Sequence, residues 1–128
     1  MSSNDVLLER LKDILNAIER IPRRFSDIKS PQDFEKNDDG KDRLDSICMI
    51  LIAVGEALKQ IDKKTNGQFL LLYPEIEWNG VIGVRNVIAH GYFDIDAEQI
   101  FDICKNDIPV LIKTLKKMIL DIGHKNNC

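Results

Sequence analysis

A chain of 128 residues, 44% hydrophobic and 30% charged, fits one globular domain that can bury its own core without disulfides or a structural metal. Its net charge of −3 excludes a general electrostatic attraction for nucleic acid, so any RNA contact must come from a local basic patch or from two subunits pooling charge. Cys48, Cys104 and Cys128 form neither a zinc knuckle nor a redox pair, and His124 with Cys128 lacks a second ligand pair, so no metal and no disulfide are expected. The start, Met1 to Asp5, has no basic segment before an apolar stretch, and the longest apolar run, Ile47 to Val54, is far too short for a bilayer. A soluble, cytoplasmic protein without membrane contact is predicted, its domain covering residues 1–123 and a polar tail residues 124–128.

In chain order, Leu7, Leu8, Leu11, Ile14, Leu15, Ile18 and Ile21 recur at helical intervals between charged residues, predicting an amphipathic helix that Pro22 ends. Ser30-Pro31 with Asp33 has the form of an N-cap with proline at the first helical position, and the polar run Asn37 to Gly40 closes that short turn. From about Asp42 to Lys63 a second long helix is apolar at nearly every position between Ile47 and Val54, as a helix covered on more than one side would be. Thr65-Asn66-Gly67 marks a turn, and Tyr73-Pro74 forces extended backbone before a helix from roughly Glu77 to His90, which Gly91 stops. Asp96 with Gln99 forms a capping box for a last helix running to Gly123, kinked at Pro109. No segment alternates with period two, so the fold is all-α: an up-and-down bundle of four main helices with short extra turns.

The chemistry-bearing residues concentrate in Arg85-Asn86-Val87-Ile88-Ala89-His90-Gly91-Tyr92. A permanently charged guanidinium, an imidazole titrating near neutrality and a phenol are the groups that metal-free phosphodiester cleavage would use. Positions 85 and 90 lie about 140° apart on an ideal helix, so they converge only if the helix distorts near Ala89 or if two copies meet about a two-fold axis. Asn86 is one turn from His90 and could orient the imidazole or a phosphate. Glu56, beside Gly55 on the apolar helix, needs a partner if buried, and Arg85 is a candidate; a glutamate in water at the helix margin is the plainer alternative. The bland readings of the motif are surface ion pairing for Arg85, a helix-terminal His90 and a half-buried Tyr92 with a backbone partner. The clusters Arg23-Arg24, Lys63-Lys64 and Lys113-Lys116-Lys117 read as solvated helix faces, because acidic residues offset them overall.

At these residues the chain resembles the HEPN superfamily, and specifically the HepT-like toxins of prokaryotic toxin–antitoxin pairs. Val54-Gly55-Glu56-Ala57 looks like that family's glycine-glutamate-alanine signature in the second long helix. Tyr73-Pro74-Glu75-Ile76-Glu77-Trp78 resembles its approach to the motif helix, and Arg85 to Tyr92 matches its pattern of arginine, four residues, histidine, one residue, tyrosine. The similarity of pattern spans Leu7 to about Leu115. It implies a metal-independent, cofactor-free endoribonuclease acting on RNA as a homodimer, with the motif helices of two subunits forming the cleft. Arg85, Asn86 and His90 carry over as the catalytic motif, with Glu56 in support. Tyr92 carries over as the site where an MNT-type nucleotidyltransferase antitoxin attaches AMP.

The reaction expected is attack of the 2′-hydroxyl on the adjacent phosphorus, with His90 moving protons and Arg85 stabilising the phosphorane. Two competing readings remain at this point. One is a non-catalytic helical module that docks or regulates a nucleotidyltransferase; the other is a plain bundle in which Arg85 and Glu56 form a buried structural pair.

Overall fold

The structure, a computed structural model, describes residues 3–126, with the backbone alone described at Ala89, His90, Lys125 and Asn126. Helix α1, Ser3–Ile18, turns Leu11, Ile14 and Ile18 inward. It stops four residues ahead of Pro22 and not at the proline itself. The pyrrolidine ring would collide with the carbonyl of residue 18, so the helix breaks at Glu19 and restarts as α2, Arg20–Phe25. Pro22 then sits in the first turn of α2, where a missing N–H costs nothing.

Pro31–Phe34 forms the expected single 3₁₀ turn, and it drops Phe34 into the core. Asp33 Oδ2 accepts the Lys29 N–H at 2.7 Å and the Ser30 N–H at 3.2 Å, holding that carboxyl below the ordinary aspartate range. The polar run after this turn opens the next helix instead of merely closing the turn. Asn37 Oδ1 accepts the Gly40 N–H at 2.8 Å as the N-cap of α3, Asp38–Lys64, which begins about one turn earlier than its apolar pattern indicates. Gly40 has no alternative, since a Cβ there would overlap the Asp33 carbonyl oxygen.

Helix α3 is the central element and packs against α1, α2 and the next two α-helices. Ile47, Cys48, Ile50, Leu51, Val54, Leu58 and Ile61 are buried, yet Met49 is 68% exposed, so one face of this apolar stretch stays open in the single chain. The helix ends where Asn66 and Gly67 take positive φ values of 54° and 72°, letting the Gly67 N–H reach back to the Asp62 carbonyl at 2.8 Å.

A connection with one 3₁₀ turn, Leu70–Leu72, leads to α4, Trp78–His90. Trp78 Nε1 donates to the Tyr73 carbonyl at 2.9 Å, fixing the entry to α4. After Gly91 and a 3₁₀ turn, Tyr92–Asp94, Asp96 Oδ1 accepts the N–H groups of Glu98 and Gln99 and caps α5, Ala97–Asp102. The chain continues without interruption through a π-helical turn, Ile103–Asp107, into α6, Ile108–Asn126. Pro109 explains that widening: it has no N–H to donate backwards and its ring needs clearance from the carbonyl four residues earlier. The kink expected at Pro109 thus takes the form of a π turn just ahead of it, and the helix runs past Gly123. Cys128 lies outside the described residues.

One core formed mainly by α1, α3 and α6, completed by Trp78 and Ile88 of α4, unites the bundle. Among the described residues there is no strand, and no helix is long and apolar enough to cross a membrane.

Candidate active site at the contact of the third and fourth helices

Two close contacts set the register of α3 against α4. At one, a Cβ on Gly55 would lie 3.2 Å from the Arg85 Cβ and 3.4 Å from the carbonyl oxygens of Val81 and Ile82. At the other, the Tyr92 hydroxyl just past α4 donates to Asp45 Oδ1 at 3.0 Å. Lower numbers on α3 therefore meet higher numbers beyond α4, and the two run antiparallel. Only glycine at position 55 allows so close an approach, and the next residue, Glu56, is thereby brought beside Arg85.

Arg85 Nε lies 3.4 Å from Glu56 Oε2, and its Nη1 donates to Asn86 Oδ1 at 3.0 Å. The first contact is an ion pair without hydrogen-bond geometry, since Glu56 Oε2 is itself buried and accepts no hydrogen bond among the described residues. The side chains are 40% and 44% exposed, which removes the reading of a buried structural pair. Arg85 Nη2 has no partner among the described residues. The guanidinium is braced on two edges and keeps a donor for an anion.

Asn86 is exposed, and Tyr92 is 55% exposed. The Asp45 carboxylate raises the Tyr92 phenol above its ordinary pKa, first through the hydrogen bond and then through its charge. Phe93, edge-on to Tyr92 with ring centroids 5.3 Å apart, is 96% exposed.

The α4 backbone is helical through His90, its last residue, and Gly91 caps it. The His90 imidazole lies outside the described side chains. Because the helix does not end early at Ala89, positions 85 and 90 keep their separation of about 140°. The structure thus joins Arg85, Asn86 and Glu56 in one array and places Tyr92 on the same pair of elements, against Asp45. Among the concave surfaces of the described residues are three of about 520, 410 and 310 Å³, and Arg85, Asn86 and Tyr92 line none of these three.

Asp45 was absent from the sequence-based candidates. It stands 47 positions before Tyr92, on a helix stretch whose other acidic residues look alike, so no local signal marks it.

The family described as Ribonuclease HepT-like matches residues 14–118. The chain is 30% identical over 122 residues to a protein of Methanocaldococcus jannaschii named "Putative RNase MJ0127", covering 94% of this chain and 88% of that one. It is 32% identical over 108 residues to the "Probable ribonuclease HepT" of Thermococcus cleftensis, covering 84% and 91% respectively. No solved structure gives a significant match.

Proposed function

The chain belongs to the HepT-like ribonuclease family and is a ribonuclease, and from that premise we propose that it is a metal-independent endonuclease on single-stranded RNA, acting as a homodimeric, cytoplasmic toxin. The observation that carries the reading is the Arg85 guanidinium, braced by Glu56 and Asn86, 40% exposed, and with its Nη2 unpaired among the described residues. A fixed cation of this kind suits a phosphorane, whose charge exceeds that of the ground-state phosphodiester. His90, on the same helix, takes the proton from the 2′-hydroxyl or gives one to the departing 5′-oxygen. The 2′-oxygen forms a bond to phosphorus as the bond to the 5′-oxygen breaks, leaving a cyclic phosphate. Arginine, asparagine and histidine together supply charge stabilisation and proton transfer without a metal.

A homodimer is supported by three features. Arg85, Asn86 and Tyr92 line none of the three concave surfaces described above, Met49 and Phe93 are apolar and largely exposed, and positions 85 and 90 diverge along one helix. Packing two copies face to face would cover the apolar residues and bring an arginine of one copy towards a histidine of the other.

Tyr92 fits the role of an AMP acceptor for an MNT-type nucleotidyltransferase antitoxin. Its hydroxyl is accessible and already donates to Asp45, which can take the proton as the phenolic oxygen attacks the α-phosphorus of ATP and pyrophosphate leaves. The product would set a phosphodiester against the Asp45 carboxylate and a nucleoside across the motif helix, excluding RNA by charge and volume.

The test is incubation of wild type and His90→Ala with labelled single-stranded RNA in excess EDTA, followed by analysis of product ends. Cyclic phosphate from the wild type alone is expected. Loss of activity with EDTA that added metal restores would overturn the metal-free mechanism.

A further inference from the structure

The exposed side of α3 changes sign along its length. Towards its N-terminus it carries Asp38, Asp42 and Asp45 with one exposed cation, Lys41, among them; Met49 and Ala53 are uncharged; beyond Glu56 come Lys59 and Lys63. On an ideal helix Asp45, Met49, Glu56 and Lys63 fall within about 40° of one another, and Lys59 within about 60° of Glu56. Lys59 and Lys63 rise about 4.5 and 10.5 Å past Glu56 along the axis, and they are neighbours four apart on one face. Both are exposed, and neither makes an ion pair or side-chain hydrogen bond among the described residues.

Of the clustered cations Lys116 and Lys117 are engaged elsewhere, as is Arg43, while Arg23, Arg24 and Lys113 stand on α2 and α6. Arg43 is held by Asp39 at 2.9 Å and Asp27 at 3.3 Å, Lys117 by Glu75 at 3.5 Å, and Lys116 lies 3.9 Å from Glu19. Lysines in a last helical turn also complement the helix dipole, but Lys59 stands outside that turn.

We propose that Lys59 and Lys63 hold successive phosphates of the RNA strand, so that the substrate leaves Arg85 towards the C-terminal end of α3 and away from the aspartates near Tyr92. This rests on placing the reaction at Arg85. A chain of net charge −3 needs such a local patch to hold a polyanion, and the acidic half of the same face repels a strand running the other way. Lys59 and Lys63 are positioning residues: they touch the substrate's backbone at a distance from the reacting phosphorus.

The experiment compares wild type, Lys59→Gln/Lys63→Gln and the charge-matched control Lys12→Gln/Lys113→Gln, whose exposed lysines lie on α1 and α6. Cleavage of a labelled single-stranded oligoribonucleotide is followed against salt concentration, with binding to its 2′-deoxy form read by anisotropy. Loss of two phosphate contacts on a single strand should make the log–log salt dependence shallower by about 1.4 and raise KM about tenfold at low salt, with kcat kept. The control should stay within about twofold of wild type. An unchanged salt slope, or an equal effect in the control, overturns the proposal. Arg85→Ala separates the two readings. Cleavage surviving in Arg85→Ala removes the site itself; cleavage lost there while the lysine variant behaves as wild type removes only the lysine track.

Discussion

Gly55 and Arg85 approach so closely that a methyl group on residue 55 would stand 3.2 Å from the arginine Cβ, with two α4 carbonyl oxygens at 3.4 Å. Alanine would gain about 1 kcal/mol of helix preference over glycine. It would also push α4 outward by a few tenths of an ångström, an overpacking cost of about the same size. Gly55→Ala should therefore shift the melting temperature by only a few degrees while lowering kcat/KM at least tenfold, because the shift carries Arg85 away from Glu56. Thermal melts beside steady-state cleavage check this, and an alanine variant of full activity would show that the close approach does not matter.

The Arg85–Glu56 pair gives a different balance. At 40% and 44% exposure its contribution to stability should stay below about 1 kcal/mol. Arg85→Ala should melt within a few degrees of wild type and lose about a hundredfold or more in kcat, as loss of a transition-state donor does. Glu56→Gln retains an acceptor for Arg85 and should be milder. Unfolding of Arg85→Ala in melts or circular dichroism would return the pair to a structural role.

These effects also show what the sequence could and could not convey. Helical periodicity located every long helix, since apolar spacing reports directly on which face is buried. The boundaries slipped where a residue acts at a distance: Pro22 breaks α1 at Ile18, and Pro109 widens the turn ending at Asp107. Asn37 looked like the end of one turn because a cap and a stop draw on the same polar residue types. In the candidate site, Arg85, Asn86, His90 and Tyr92 could be singled out because they share eight positions. Asp45 was not, since its role comes from packing between elements far apart in sequence.

Cys48 and Cys104 should resist alkylation in the folded protein. Burial raises their thiols to about 11 and about 12, so almost no thiolate exists at neutral pH. Iodoacetamide at pH 8 followed by peptide mass spectrometry should find both unlabelled natively and labelled in denaturant. Rapid native labelling of Cys48 would mean that the face of α3 against Tyr92 opens readily.

The two tyrosines give the protein a pH signature of known sign. Asp45 raises Tyr92 above 10, and burial with the Asp121 hydrogen bond lifts Tyr73 to about 12. An acid whose folded pKa exceeds its unfolded value favours the fold while protonated. Both contributions are therefore fully present below pH 10 and are lost as pH rises through the folded values. Phenolate absorbance should rise later than that of free tyrosine in wild type, and in a single step near 12 in Tyr92→Phe. Asp45→Asn should return one tyrosine towards 10 and, on the adenylylation reading, slow AMP transfer by removing the proton acceptor. A tyrosine titration unaltered by Asp45→Asn would separate Tyr92 from Asp45 and leave the acceptor hydroxyl without its base.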